Sequence, residues 1–390
     1  MGSIRELVKT LGDGEIITLK NGDRIFKLSS YEGNPVVRPC DLGLTWEKDG
    51  KTEVGAVFNG GAELFKDRVI LAPRAHRDYW KSTFFDPKLG RERPCLENYI
   101  SEIWILESKD GVNFRRFDNV VIKGDGTDHK DFVYGIEDIR IIKHDTKYLL
   151  VGCGKIKPPF KGENADRVAI YSTEDFKNIT YHGIIRNFDS RNAVPFYLDG
   201  EWYIFLRFYP NIHLVRLEAG LEQLLYPEKH EKLWQKAYDE REKSLFLSPG
   251  DFPHEKEKIG AGPQLVRTER GLLFIYHSVG EIKEEIASLY GLAKPVDRAY
   301  SVSMAILDPE KPYKIVARTK YPLYIPNKPY ELYGDDEYPV DVPAVVFPTG
   351  AILMENKLLI YAGAGDKYMV LLSADIDKLL DYMFEEVKNN

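Results

Sequence analysis

A chain of 390 residues with 43% hydrophobic and 12% aromatic content is globular and can bury one large core or two moderate ones. Its 54 basic and 61 acidic residues are well mixed and leave a formal charge of −7, which offers no basic face to nucleic acid and no polybasic patch to a membrane. No apolar run approaches the ~18 residues of a membrane span, and the start MGSIRELVKTLGDGE lacks the apolar core of a secretory signal, so a cytoplasmic protein is expected.

The first predicted element is a helix over Ile4 to Leu11, within an N-terminal extension of residues 1–30. Strands then dominate. Five segments open on a turn signal and continue as an apolar strand: KDRVILAPR, DTKYLLVGC, DGEWYIFLR, RGLLFIYHS and NKLLIYAGAG. Their apolar starts, Val69, Tyr148, Trp202, Leu272 and Leu358, lie roughly 55 to 85 residues apart, the scale of four-stranded propeller blades with some long loops. Several are accompanied by a strand that meets a turn and returns, as in EIWILESKDGVNFRRFDNVVI and RVAIYSTEDFKNITYHGII. A charged helix is predicted from about Leu221 to Lys243, in an insertion spanning 221–257, and the tail Ile376 to Val387 gives a C-terminal helix within 374–390. The expected fold class is all-β, a single five-bladed β-propeller catalytic domain over residues 1–390 with helical extensions at both termini and one helical insertion. Cys40, Cys95 and Cys153 are odd in number, isolated and without CxxC spacing, so they are expected to be small core residues.

Chemistry shows first in VYGIEDIRII, Val133 to Ile142, where Glu137, Asp138 and Arg140 interrupt a stretch with strand-like content. Neighbouring side chains of a strand point to opposite faces, so Glu137 and Asp138 are not expected to share one environment. The repeat supplies a second signal. Five residues beyond the apolar start stand Arg74, Arg207 and His277, with Cys153 and Gly363 in the other two copies. Equivalent positions of successive blades surround one axis, so these side chains should converge on a central cavity suited to an anionic or hydroxyl-rich ligand. FNGGAELF presents Asn59 beside two glycines, FDSRNAVPFY places Arg191 and Asn192 ahead of a strand, and GDDEYPVDVPAVVFPTG places Asp341 before an apolar run. KIGAGPQLV, beginning at Lys258, lacks the spacing and the following helix of a nucleotide P-loop.

The order NPVVRP, AVFNGGA, GIEDIRI, DSRNAVPF, KIGAGPQLV, LLFIYHS, DVPAVVFPTGAI and LLIYAGAGD, about Asn34 to Asp366, resembles glycoside hydrolase family 130, the inverting mannoside phosphorylases and related mannosidases. The resemblance implies a five-bladed propeller with its active site at one end of the central channel. It implies Asp138 as catalytic acid, delivering its proton through the 3-hydroxyl of the mannosyl unit, with Glu137 turned away or toward a cation such as Arg140. Arg191, Asn192, Lys258, His277 and Tyr300 correspond to a phosphate pocket, Tyr290 being the competitor to Tyr300. Asn59, Arg74, Arg207 and Asp341 correspond to mannosyl-binding positions. Inorganic phosphate would then be the nucleophile, so one carboxylic acid suffices where a glycosidase ordinarily needs two.

Three departures from the family pattern, Gly60, Ile139 and Ser278, remove no charge. The implied reaction is inverting phosphorolysis of β-mannosides to α-mannose 1-phosphate and a shortened acceptor, with oligosaccharide and phosphate as partners, no metal and no organic cofactor. The alternatives are a phosphate-independent β-mannosidase of the same fold and a non-catalytic carbohydrate-binding propeller. The terminal helices are available for packing in a homo-oligomer.

Overall fold

Each of the five turn-plus-apolar segments forms the second strand of a blade. In the computed structural model, which describes residues 2–124, 132–159, 161 and 165–389, these strands are Arg68–His76, Lys147–Lys155, Glu201–Phe208, Gly271–Ile282 and Lys357–Ala364. Each pairs antiparallel with the first strand of its blade, respectively Ala56–Phe65, Ile136–His144, Val194–Leu198, Lys258–Ala261 and Val346–Met354. The result is a five-bladed β-propeller, four of its sheets having four strands and the fourth blade five. Every blade is covered by a neighbour on each face, so its middle strands read as continuous apolar runs rather than alternating ones. Lys357–Ala364, for example, is buried at all eight positions. Near the axis the first strands meet backbone to backbone. A Cβ on Gly61 would lie 2.6 Å from the Ile139 carbonyl oxygen, so this crossing requires glycine.

The ring closes through the amino terminus. Ser29–Ser30 forms the outermost strand of the fifth blade, with Ser30 opposite Leu372 and Ser29 opposite Ser373. A chain end that pairs in this way covers a sheet edge that would otherwise template association. The last residues of the 1–30 segment thus work inside the propeller, and a two-residue strand carries no periodicity by which to foresee it.

The first two helical segments are shorter than expected and the C-terminal one is slightly longer. Ile4–Thr10 starts on a capping box, Ser3 with Glu6, and buries Ile4, Leu7 and Val8. The 221–243 stretch, expected as one charged helix, is broken at Pro227 into Leu221–Leu225 and Glu231–Asp239, and Trp234 is fully buried. Within the 221–257 segment Leu245–Leu247 is the outer strand of the third blade. The C-terminal helix Ile376–Asn389 buries Leu379, Leu380, Tyr382 and Met383 in the core of the last blades. Cys95 and Cys153 are core residues, but Cys40 is exposed, because it opens a short turn, Cys40–Leu42, on the surface. Among the described residues no helix is long and apolar enough to cross a membrane.

Candidate active site

Two of the innermost strands carry a register slip at the same level, between Phe58 and Gly61 and between Glu137 and Arg140. At each slip a polar residue adopts left-handed backbone, Asn59 at φ 53° and Asp138 at φ 54°, and Asn192 does so at φ 58° just ahead of the third blade's first strand. Non-glycine residues rarely take this conformation, Asn and Asp most readily, and bulges that impose it commonly re-aim side chains beside functional sites.

The bulge overturns the expectation that Glu137 and Asp138 occupy different environments. Both carboxylates face the same two arginines. Arg74 reaches Glu137 at 2.8 Å and Asp138 at 3.3 Å, while Arg191 reaches Glu137 at 3.0 Å and Asp138 at 3.1 Å. Arg140 is not the partner of Glu137. Its guanidinium donates to the backbone carbonyls of Asp138, Ala261 and Gly262 at 2.8, 3.0 and 2.9 Å, tying the second blade to the fourth. Asn59 completes the surroundings of Asp138, its Nδ2 donating to Oδ1 at 3.0 Å. Burial pushes the Asp138 carboxyl up, but Arg74, Arg191 and Arg140 outweigh it and hold the group well below its ordinary value.

The loop bearing Arg191 and Asn192 is clipped in place. The Asp166 amide donates to Asp189, the Ser190 amide donates to the Asp166 carbonyl, and the Arg207 amide donates to Ser190 Oγ. Lys155 is paired with Asp166, which also lies 3.7 Å from Arg191. Arg207 is buried without a hydrogen bond or close ion pair of its guanidinium among the described residues, and burial together with Arg191 brings it down to about 10.

The fourth blade supplies the other wall. Lys258 stands opposite Val279 and Val279 opposite Tyr300, while Gly260 stands opposite His277, so Lys258, His277 and Tyr300 share one sheet face. Lys258 Nζ lies 5.0 Å from the centre of the Tyr300 ring. His277 is fully buried, and neither ring nitrogen has a hydrogen-bond partner among the described residues. Burial, then Arg207, Lys258, Arg140 and Arg191, push its titration far below the usual range, so it is neutral at physiological pH. The Asn192 Nδ2 is likewise buried and without a partner among the described residues. Tyr290 is no competitor, for it packs against Tyr324 and donates to the Leu323 carbonyl at 3.0 Å. The long stretch before Tyr300 is taken up by extended strands and the helix Glu284–Leu289.

Asp341 lies at the edge of this constellation, engaged by the Tyr79 hydroxyl and by Lys367 at 3.4 Å. Burial raises its carboxyl above the usual value, with Lys367 acting against it. Asp366 was missed. It sits in left-handed backbone at φ 51°, and burial lifts its carboxyl to about 6, with Arg74 opposing and Asp138, Asp341 and Glu137 adding to the rise. Its signal was available at the end of LLIYAGAGD, three residues past the repeat position held by Gly363. Among the described residues no group of three or more His, Cys, Asp or Glu could hold a metal ion.

The sequence model of β-1,4-mannooligosaccharide phosphorylase matches residues 36–385. The chain belongs to glycoside hydrolase family 130. This family is one of glycoside phosphorylases that act on β-mannosides with phosphate as co-substrate. The chain is 27% identical to a β-1,2-mannobiose phosphorylase of Thermoanaerobacter sp. (strain X514), over 91% of this chain and 99% of that protein. A β-1,2-mannobiose phosphorylase from Listeria innocua, solved with β-1,2-mannobiose, superposes with a TM-score of 0.64 at 20% identity, covering 91% of this chain and 99% of that one. A family 130 glycoside hydrolase that targets β-1,2 mannosidic linkages in Candida mannan superposes at 0.62 with 18% identity, over 89% and 93% of the two chains.

Proposed function

We propose that this family 130 enzyme carries out inverting phosphorolysis of a short β-mannoside, β-1,2-mannobiose being the first substrate to try, and releases α-mannose 1-phosphate and a shortened acceptor. The carrying observation is a set of unmatched donors beside the Glu137 and Asp138 carboxylates. His277, with both ring nitrogens unpartnered, and the Asn192 amide stand among Lys258, Arg191 and Arg207, an arrangement suited to an anion rather than a neutral water.

In this reading phosphate is held by Arg191, Asn192, Lys258, His277 and Tyr300, while Asn59, Arg74, Arg207, Asp341 and Asp366 hold the mannosyl hydroxyls. Asp138 is the only carboxyl assigned to acid catalysis. Arg74 and Arg191 keep it ionised in the free protein. Phosphate brings negative charge to Arg191, which weakens that hold and raises the proton affinity of Asp138 as the reaction complex assembles. Asp138 takes up one proton from solvent as the complex assembles and passes it through a sugar hydroxyl to the departing oxygen, so that the glycosidic C–O bond breaks as a phosphate oxygen bonds to the opposite face of the anomeric carbon. A cytoplasmic site of action belongs to the same reading, since a sugar phosphate conserves bond energy only where it is retained.

The test is turnover of β-1,2- and β-1,4-mannobiose with and without phosphate, following mannose 1-phosphate and free mannose separately. Phosphorolysis predicts mannose 1-phosphate only when phosphate is present. Equal release of free mannose in both conditions overturns it in favour of the hydrolase. Arg191→Ala and Lys258→Ala should raise the phosphate KM far more than the mannoside KM.

A further inference from the structure

Beside the candidate phosphate pocket stands a cation that the site reading leaves unused. Arg298 and Tyr300 are two residues apart on the strand Val296–Leu307 and so share a face. The guanidinium carbon of Arg298 lies 5.2 Å from the centre of the Tyr300 ring, and Lys258 Nζ lies 5.0 Å from the same centre. Arg298 is itself held by a two-pronged pair to Glu257, at 2.6 and 2.8 Å. Glu257 directly precedes Lys258, and its amide donates to the Val279 carbonyl at 2.9 Å, so one stretch of backbone anchors both cations.

We propose that Arg298, oriented by Glu257, is a further positioning residue of the phosphate pocket, which together with Lys258 fixes the Tyr300 hydroxyl for donation to a phosphate oxygen. The proposal rests on the phosphorolytic reading above. An exposed arginine locked in a bidentate geometry has given up much of its rotamer freedom, and a phenol between two cations is a stronger donor than one in water. The charged and titratable groups around Tyr300 are Lys258 and Arg298 beside it, His277 stacked on it at 5.9 Å, Arg207 further in, and Glu257 through Arg298. Burial acts to raise the phenol, but Lys258 and Arg298 bring it below its usual value.

The test uses the full chain with the mannoside it turns over and inorganic phosphate. Arg298→Gln is expected to raise the phosphate KM roughly tenfold, the scale of one charge-assisted hydrogen bond, with the mannoside KM and kcat little changed. Glu257→Gln should act in the same direction more weakly, and Arg298→Lys should recover part of the loss. Because Arg298 works through Tyr300, the pair Arg298→Gln with Tyr300→Phe should be no worse than Tyr300→Phe alone. Additive losses in that pair overturn the positioning role. An ultraviolet difference titration between wild type and Tyr300→Phe should place the Tyr300 phenol below ordinary tyrosines, and Arg298→Gln should move it up. No movement overturns the proposal irrespective of any loss of stability. If Arg298→Gln leaves the phosphate KM unchanged while Tyr300→Phe and Lys258→Ala raise it, only this inference fails. If none of the three raises it, the phosphate pocket fails and this inference with it.

Discussion

Asn59 donates to Asp138 at 3.0 Å, and both residues make that contact from left-handed backbone at bulges in adjacent blades. Behind Asn59 stands Gly363, where an added Cβ would come within 1.9 Å of Asn59 Oδ1. Gly363→Ala should therefore push Asn59 off Asp138. The expected result is a loss of roughly tenfold or more in kcat, since misplacing a group at the reacting centre is costly. Steady-state kinetics beside circular dichroism would check it, and a fully active, folded variant would remove Asn59 from the mechanism.

Asp138→Asn keeps shape and hydrogen-bonding capacity while removing the transferable proton. Turnover should fall by about 10²–10⁴-fold, the range for loss of a positioned general acid. The carbohydrate-binding alternative instead expects no turnover in the wild type. A variant within tenfold of wild-type turnover would sink the assignment.

Histidine 277 is predicted to serve phosphate as a neutral donor. Its titration lies far below the usual range, so phosphate affinity should show no break near pH 6.5 that disappears in His277→Ala, while that variant should raise the phosphate KM about tenfold. Gly260→Ala probes the same wall from behind. Its Cβ would lie 2.4 Å from His277 Cε1 and 2.6 Å from Asn192 Nδ2, and it should likewise weaken phosphate more than mannoside.

Asp366 makes a prediction about stability. Its carboxyl is lifted from 3.8 to about 6 in the folded protein, so the folded state holds the proton more tightly than the unfolded one. Its contribution to stability is thus fully present below about pH 4 and declines as pH rises toward 6. Asp366→Asn should gain about 1–3 kcal/mol at pH 8 and little near pH 4, read from urea unfolding, while activity falls. A variant less stable than wild type at pH 8 would contradict this.

The sequence alone determined the architecture and much of the candidate site. Propeller blades are local units, and a turn followed by an apolar strand recurs wherever a middle strand is covered on both faces. That recurrence counted five blades and brought Arg74, Arg207 and His277 to the same offset. Only the tertiary structure decided how Glu137 and Asp138 are shared between Arg74 and Arg191, because a bulge breaks the strand alternation on which a sequence reading depends. The same limit hid the closure through Ser29–Ser30 and the pair Glu257 with Arg298. Each arises where segments distant in the chain, or a single kinked residue, meet in space, and such meetings leave no period in the sequence.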